Sequence, residues 1–393
     1  MKVIVKTLKC IVSLILVALL AIVATSVSLV YNFAEPKPFS GEDIFNPYLN
    51  FDSTVGWSRA NFHTHTRVEG LLNECEYTPQ QTIDAYAPYG YDIITLSNHN
   101  EITPHPASDS RAYEHGYNIA KFHKLVFGAE KVWGFDNLFP MFPFQKQFQI
   151  DMLARQSDFV VLNHPLRTHT MTKGQLAKIG GYRIIELDSG KSTENEYWDA
   201  ALSAGRYSFG IANDDLHYPD RSHAIAVRSN MLCTQGREYS DIRRTLLDGC
   251  FYAMRTPDYG SGDWAVKAEK NNDIPKISNI GLTSRGEIYL KLSELADSIK
   301  VTGQNHTTLA IVNNADSLGY AMLPADSYGR FTAYFADGEV IYTNPFARYN
   351  AAEAESPFAI MYDVNMTLTI LYNIAVVALA ILIVFSLYKL IKL

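Results

Sequence analysis

The chain has few cysteines, no cluster of basic residues in its middle, and no convincing Ser/His/Asp or Cys/His constellation. Only 4 of its 393 residues are cysteines, and none form a C-x-x-C pair, so no disulfide framework is predicted. One disulfide among Cys75, Cys233 and Cys250 stays open. The net charge of −7 argues against a nucleic-acid partner, because binding a phosphate backbone requires a basic surface.

Charged residues are also missing from two long apolar runs, Ile11–Tyr31 and Val364–Tyr388. Each run is long enough to cross a hydrocarbon layer of about 30 Å as a helix. The first run is either a retained anchor or a cleaved signal peptide, and it exceeds the roughly 7–15 apolar residues usual in a signal peptide. We therefore predict transmembrane helices within residues 1–33 and 364–388.

The flanking charges predict how these helices are oriented. Lys2, Lys6 and Lys9 precede the first run, and Lys389 and Lys392 follow the second. Acidic residues prevail on the inner flanks. Since basic flanks tend to stay in the cytoplasm, we expect a membrane protein with both termini cytoplasmic. The segment between them would lie on the non-cytoplasmic side, either periplasmic or extracellular.

Apolar runs that alternate with helix-like segments fill the first part of this segment. The stretch 78–81 (TPQQ) predicts a helix start, with Thr78 as N-cap and Gln81 completing a capping box. Alternating strands and helices indicate parallel strands, and polar residues at strand ends are typical of a (β/α) barrel. We predict a barrel over residues 34–260. The predicted strands are Tyr91–Leu96, Leu125–Ala129, Phe159–Leu162, Tyr182–Leu187 and Phe209–Ala212.

Beyond about Asp258 the runs become short and alternate between apolar and polar residues. This pattern predicts a small antiparallel β-sandwich over residues 261–350, with no catalytic residue in it. The predicted strands are Glu287–Leu292, Ser298–Thr302, Thr308–Val312, Arg330–Phe335 and Val340–Thr343.

Histidines and carboxylates stand at the ends of the predicted barrel strands. Residues two apart on a strand face the same side, so an H-x-H or D-x-H pair can hold one ion. Histidine and carboxylate ligands gathered from several strands suit a divalent metal. The candidate residues are His63, His65, His99, Glu130, His164, Asp215 and His217.

The order of these motifs resembles the polymerase and histidinol phosphatase (PHP) superfamily, from about residue 60 to residue 217. The motifs are NFHTHT (61–66), GYDIITLSNHN (90–100), GAE (128–130), NHP (163–165) and DDLH (214–217). The resemblance implies a distorted (β/α)7 TIM-like barrel that hydrolyses phosphoesters with two or three divalent ions (Zn, Mn or Fe). The YTNP stretch at 342–345 resembles the ending of membrane or exported members that carry a small β domain.

The resemblance also implies which residues surround each ion. His63, His65, Glu130 and Asp215 would surround the first. Glu130 would be shared with a second ion that also takes His164.

His99 and His217 would serve a third ion.

Three positions depart from the family pattern. Glu69 would replace the acid or histidine that usually follows H-x-H. No histidine lies between Glu130 and His164, where the family usually has one, and Asp136 is a candidate substitute. Asn98 stands where Asp is common, which would weaken the support of the neighbouring ligand.

Other polar residues receive less specific predictions. Arg167 is predicted either to clamp a substrate phosphate or to form a salt bridge. Three histidines are predicted to be surface or helix residues, His105, His115 and His123. Two further histidines are candidates to approach the site, His169 and His223.

The sequence thus predicts a membrane-anchored, metal-dependent phosphoesterase, with Asp215, His217 and Arg167 as its catalytic group. Its substrate would be a phosphorylated small molecule or an envelope component. Two alternatives stay open. One is a metallohydrolase of amide or ester bonds, since related barrels support both reactions. The other is a degenerate, non-catalytic binding protein, favoured by the missing histidine after Glu130.

Overall fold

The computed structural model describes residues 2–69, 73–105, 110–190, 192–193 and 195–392. These residues form eight α-helices: α1 (Lys2–Ala24), α2 (Pro79–Tyr86), α3 (Pro143–Ala154), α4 (Lys173–Leu176), α5 (Asn195–Ser203), α6 (Tyr239–Asp248), α7 (Trp264–Asn272) and α8 (Met366–Lys392). They also form nineteen strands: β1 (Tyr31–Phe33), β2 (Asp43–Phe45), β3 (Ser58–Asn61), β4 (Ile93–Ile94), β5 (Tyr113–His115), β6 (Lys124–Phe127), β7 (Phe159–Leu162), β8 (Ile184–Ser189), β9 (Ser192–Thr193), β10 (Phe209–Asn213), β11 (Arg228–Leu232), β12 (Phe251–Arg255), β13 (Ile277–Leu282), β14 (Glu287–Gly303), β15 (Thr307–Ala321), β16 (Tyr328–Tyr334), β17 (Val340–Thr343), β18 (Phe346–Tyr349) and β19 (Tyr362–Val364).

Most of the strands belong to two open sheets. The smaller sheet has six strands in the order β10-β8-β7-β6-β5, with β9 paired to β8. The larger has eleven strands in the order β13-β14-β16-β17-β12-β11-β3-β4, and β15, β18 and β2 branch from this path. The mixed α/β fold predicted from the sequence is therefore confirmed at this level.

The direction of β6 differs from the parallel arrangement that the sequence predicted. β7, β8 and β10 are parallel to one another, but β6 is antiparallel to both β5 and β7. Only residues 116–123 connect β5 to β6, and no helix lies among them. A connection this short turns the chain back on itself, whereas a parallel neighbour requires a longer crossover.

The two sheets meet at two seams without closing into a barrel. One seam is an isolated parallel bridge between Thr64 and Leu216, and the other joins His99 to Glu114. Beside the first seam, the side chain of Asn230 on β11 pairs with β10: its Oδ1 accepts from Ala212 N at 2.9 Å, and its Nδ2 donates to Ala212 O at 2.8 Å. The predicted closed barrel is thus not seen in the described residues, because single bridges and side chains replace a continuous ladder at both seams.

The antiparallel strands predicted for residues 261–350 are present, but they do not form a separate sandwich. β17 pairs with β16 on one side and with β12 on the other. The larger sheet therefore continues across residue 260, where a domain boundary was predicted. All four residues of β17 are buried, as expected for a central strand covered on both faces.

The predicted start of α2 is confirmed. Thr78 Oγ1 accepts a hydrogen bond from Gln81 N at 3.3 Å, and Gln81 Oε1 accepts one from Thr78 N at 2.9 Å. This reciprocal capping box and Pro79 at the first turn fix the helix that precedes β4.

Two helices are long and apolar enough to cross a membrane, Val3–Ala24 and Met366–Lys392. They leave the folded region side by side, because β1 and β19 pair directly beside them. The Tyr372 hydroxyl donates to Ser26 O at 2.9 Å, and Asn373 Nδ2 donates to Ser28 O at 2.8 Å. Length and composition support a membrane location for these helices, while sidedness stays a prediction.

We predict that Asn230→Leu destabilises the seam beside β10. The leucine has a similar size but leaves the N–H and C=O of Ala212 unpaired, at a cost of about 2–4 kcal/mol. Thermal unfolding of the full chain in detergent measures the effect. Thr302→Val is the matched control, because the buried Thr302 hydroxyl has no hydrogen-bond partner. Equal unfolding midpoints for the two variants would contradict the role of Asn230.

Candidate metal centre

A single buried carboxylate, that of Glu114 on β5, lies among five histidines. Glu114 is 1% exposed, and its two oxygens face different histidines. Its Oε2 lies 3.2 Å from His63 Nε2, 3.3 Å from His65 Nε2 and 3.2 Å from His99 Nε2. Its Oε1 lies 3.2 Å from His123 Nδ1 and 3.4 Å from His164 Nε2. The carboxylate thus stands between two groups of histidines.

Asp215 supplies a second buried carboxylate on one side of this arrangement. Its Oδ1 lies 3.1 Å from His63 Nε2, 3.3 Å from His65 Nε2 and 3.4 Å from His217 Nε2. Asp215 has a positive φ of 51°, a conformation that Asp tolerates better than most residues. The turn after β10 therefore aims this carboxylate at the H-x-H pair.

The two seams explain why these side chains converge. Thr64 lies between His63 and His65, and its bridge partner Leu216 lies between Asp215 and His217. The backbone hydrogen bonds from His65 N to Leu216 O at 2.8 Å and from Leu216 N to His63 O at 3.3 Å hold the two motifs side by side. The other bridge brings His99 directly beside Glu114.

The contacts within the cluster fit ligands around an ion better than hydrogen bonds. The Nε2 atoms of His63 and His65 are buried and make no hydrogen bond, although carboxylate oxygens lie 3.1–3.3 Å away. Ligand atoms about 2.1 Å from a common ion are separated by about 3.0–3.4 Å. The ligand atoms of His63, His65, Glu114 and Asp215 all lie within 4.8 Å of one another, as do those of His99, Glu114 and His123. The donor set therefore suits divalent ions with nitrogen and oxygen ligands.

The electrostatics of the cluster also indicate a demand for positive charge. Burial would raise the pKa of Glu114, but the charges of His63, His99 and His123 hold it well below its usual range. Burial would likewise raise the pKa of Asp215, which His63 and its other neighbours hold well below normal. Burial opposes the charged form of His63, yet Asp215 and Glu114 raise its pKa well above normal. Divalent ions would supply the same compensation without protonated imidazoles.

Glu186 on β8 orients two of the histidines from behind. This fully buried carboxylate accepts from His63 Nδ1 at 2.9 Å and from the backbone N of His164 at 3.1 Å. It also accepts from Asn213 Nδ2 at 3.0 Å. With Nδ1 of His63 engaged, Nε2 is left to face the cluster, which is the arrangement typical of metal-binding histidines. The signal for Glu186 in the sequence is a carboxylate between the apolar Ile185 and Leu187 of a predicted strand, and no role was predicted for it.

Glu130, predicted as the shared carboxylate, lies apart from the cluster. It is exposed and lines a surface cavity with Lys131 and Arg155. The cause is the direction of β6: because β6 is antiparallel to β7, its carboxyl end emerges at the edge opposite His164. Glu114 occupies the central position among the histidines that was predicted for Glu130.

The antiparallel direction of β6 also explains why the position of His123 was predicted wrongly. His123 was predicted to be a surface or helix residue, but it directly precedes β6 and faces Glu114. His115 is also buried, and its Nε2 lies 2.9 Å from Phe135 O. His123 thus lies nine residues after Glu114, as a histidine was expected to follow Glu130. Asp136 accepts instead from Tyr117 N at 3.0 Å and Asn118 Nδ2 at 2.9 Å.

Glu74, and not Glu69, approaches His99 and His217. Glu74 Oε2 lies 3.3 Å from His99 Nε2 and 3.8 Å from His217 Nδ1, and its side chain is 53% exposed. Glu69 is exposed and belongs to neither ligand group found in the described residues. The intervening residues 70–72 lie outside the described part of the chain.

The remaining polar candidates have structural contacts. Arg167 Nη2 pairs with Asp215 Oδ2 at 2.5 Å and donates to Ser189 Oγ at 2.9 Å, with 28% of its side chain exposed. The salt-bridge alternative for Arg167 is therefore observed, and a role in phosphate binding stays a prediction. Asn98 Oδ1 accepts from Thr66 N at 2.7 Å, which ties the His99 loop to the H-x-H segment. Two histidines within predicted reach of the site are exposed, His169 and His223.

Comparison with known proteins gives a distant structural likeness. No family model matches the chain, and no curated protein matches it. A crystal structure of a two-domain protein containing a predicted PHP-like metal-dependent phosphoesterase from Bacteroides vulgatus matches with a TM-score of 0.38 and 15% sequence identity. The match covers 80% of this chain and 100% of that one.

Two glutamate variants test which carboxylate holds the metal. We expect Glu114→Gln to lower the divalent-metal content of the purified full chain by at least one ion, because it removes the charge shared by both histidine groups. Glu130→Gln is the matched control and should retain the wild-type content. Elemental analysis after reconstitution with Mn²⁺ or Zn²⁺ and desalting measures both. The opposite pattern, with loss only in Glu130→Gln, would overturn the assignment.

Proposed function

We propose that this chain is a membrane-anchored, metal-dependent phosphoesterase whose site lies on the non-cytoplasmic side. One observation carries the hydrolase part of the proposal: the buried Glu114 carboxylate faces five histidines whose contacts have the spacing of metal ligands. The two terminal apolar helices and their basic outer flanks support the anchored topology.

Three groups of residues would hold the ions, which we propose to be two or three Zn, Mn or Fe ions. Glu114 would be shared by the first two groups. The first group is His63, His65, Asp215 and Glu114; the second is His123, His164 and Glu114; the third is His99, His217 and Glu74. When bound, such ions lower the pKa of a coordinated water and neutralise charge on phosphoryl oxygens.

The residues at the edge of the cluster favour an anionic substrate. Arg167 is partly exposed and can exchange its contact with Asp215 for a phosphoryl oxygen, which a planar guanidinium binds well. His217 is 23% exposed, so the third ligand group lies at the solvent-facing edge of the cluster. A phosphorylated small molecule or an envelope component near the membrane surface would suit this position.

The two alternatives have less support from the described residues. The degenerate-protein hypothesis depended on a histidine missing after the shared carboxylate, and His123 occupies that role geometrically. The amide or ester hypothesis has no particular use for Arg167, whereas a phosphate ester does. Product identification separates the two chemistries, because only a phosphoesterase releases phosphate.

We predict that the full chain, purified in detergent and loaded with Mn²⁺, Zn²⁺ or Fe²⁺, releases phosphate from phosphate esters. His63→Ala should lower the rate by more than about 100-fold, beyond the loss typical of removing an outer-sphere partner. Glu130→Gln should keep the wild-type rate. Absence of phosphate release with every metal, from monoesters and diesters alike, would refute the proposal.

Arg167 variants test how the site recognises its substrate. We expect Arg167→Ala to lower kcat/KM for a phosphate ester about 10- to 100-fold, the cost of a lost charge-assisted hydrogen bond. The kcat/KM of Arg167→Lys should lie between those of the wild type and Arg167→Ala, since lysine keeps the charge but not the planar fork. Arg237→Ala, which removes an exposed arginine paired with Asp92, is the control. A matching loss on a neutral carboxylic ester would mean that Arg167 acts only by supporting Asp215.

A further inference from the structure

A cavity of about 330 Å³ lies at the sheet edge opposite the candidate metal centre. Arg183 directly precedes β8 and Arg206 precedes β10, so both stand at the amino ends of strands whose carboxyl ends carry the metal cluster. Residues 358–360 form part of the cavity wall and lead into β19 and then α8. The cavity is therefore close to the point where the two apolar helices leave the folded region.

Arg206 is a buried cation without a carboxylate partner. It is 4% exposed, and no carboxylate of the described residues forms an ion pair with it. Its Nη2 donates to Ala34 O at 3.1 Å, its Nη1 contacts the Met361 sulfur, and its Nε has no hydrogen-bond partner. Burying a charge without a counter-charge is costly, so this side chain indicates a missing anion.

Arg183, which is half-buried, lines another wall of the cavity and also forms no ion pair with the described residues. Its Nη2 donates to Leu247 O, its guanidinium carbon lies 3.5 Å from the centre of the Phe358 ring, and its Nε has no hydrogen-bond partner. Burial lowers the pKa of Arg183 to about 10. Its charge is thus compensated only in part, by backbone and aromatic contacts and by the nearby Asp248 carboxylate.

The buried Arg330 shows how the same chain supports an arginine that has its partner. Arg330 Nη2 lies 2.6 Å from Asp199 Oδ2, and its Nε donates to Asp199 Oδ1 at 2.8 Å. Although burial opposes its charge, Asp199 raises the pKa of Arg330. Burial instead lowers the pKa of Arg206. Arg330 thus has a carboxylate partner, whereas Arg206 has none and can accept an anionic ligand.

Two further polar residues line the cavity, and they differ in whether their polar atoms already have partners. Tyr182 is 3% exposed, and its hydroxyl has no hydrogen-bond partner. Asp158 also lines the cavity, but it is engaged by Arg243 at 3.1 Å and by the Tyr239 hydroxyl at 2.8 Å. Arg183 Nε, Arg206 Nε and the Tyr182 hydroxyl are therefore donors without a hydrogen-bond partner, while the acidic group already has partners.

We propose that this cavity binds a phosphate group, with Arg183, Arg206 and Tyr182 as donors, and that an anionic membrane lipid supplies it. Arginine forks match phosphate oxygens. The exposed Ile360 on the cavity wall (79% exposed) offers apolar surface for the lipid beside its headgroup. Phosphate binding does not depend on the proposed hydrolase activity. The lipid source does rest on the proposed membrane anchoring.

Thermal unfolding of the full chain in neutral maltoside micelles tests the site. EDTA is present, so that metal ions cannot hold phosphate at the metal cluster. The probes are short-chain phosphatidylglycerol, short-chain phosphatidylcholine and inorganic phosphate, at constant ionic strength. We expect phosphatidylglycerol to raise the unfolding midpoint of the wild type saturably by at least about 2 °C, and phosphatidylcholine to raise it less.

Arg183→Gln and Arg206→Gln should abolish this shift. Arg244→Gln, which removes an exposed arginine on α6, should keep it. A shift with inorganic phosphate alone that the same two variants abolish would support the phosphate site but not the lipid source. No shift with any probe, or a shift that both variants retain, would overturn the proposal.

If the glutamine variants do not fold, native mass spectrometry of the wild type decides: preferential retention of phosphatidylglycerol supports the site, and equal retention of both lipids overturns it.

Discussion

The arrangement of this molecule depends on one buried carboxylate, that of Glu114. A fully buried negative charge is unfavourable unless positive charge surrounds it, and here imidazoles from several strand ends approach it on two sides. Although burial opposes their charged forms, the neighbouring carboxylates raise the pKa values of His63 and His99. Divalent ions would supply the positive charge without protonated imidazoles. The same demand explains why Glu186 lies directly behind His63, since an oriented neutral imidazole presents its other nitrogen to the ion.

The seams between the two sheets bring the side chains of this site together. In a barrel with continuous ladders, the backbone N–H and C=O groups of residues 63–65 and 214–217 would form regular hydrogen bonds between strands. The isolated bridges at Thr64 and at Glu114 instead let the flanking side chains converge. Hydrogen bonds from Asn230 and Asn213 complete the backbone pairing nearby, with Asn213 Oδ1 accepting from Phe62 N at 2.9 Å. Irregular backbone is thus concentrated where function is proposed, and the regular sheets on either side hold it in place.

The sequence was sufficient for some parts of the site and fold, and insufficient for others, for identifiable reasons. The two-residue spacing of His63 and His65 predicted that they face the same side, and Asp215 follows the apolar run Phe209–Ala212. Their convergence was predicted from the strand ends and from the family resemblance. Glu114 was missed because β5 is only three residues long, and Glu130 was chosen because nothing in the local sequence reveals that β6 runs antiparallel. The capping box at Thr78 and the two terminal apolar helices are local features and were predicted correctly. The pairing of β17 with β12 joins residues about 90 positions apart, and a partner at that distance is not encoded in either strand.

The most direct test of the account is an anomalous-scattering crystal structure of the chain reconstituted with Mn²⁺ or Zn²⁺. The account predicts one ion on each side of the Glu114 carboxylate. The first would lie among His63, His65 and Asp215, and the second beside His123 and His164, with ligand distances of about 2.0–2.2 Å. A metal peak at Glu130, or a metal-saturated crystal in which Glu114 only accepts hydrogen bonds from protonated histidines, would contradict it.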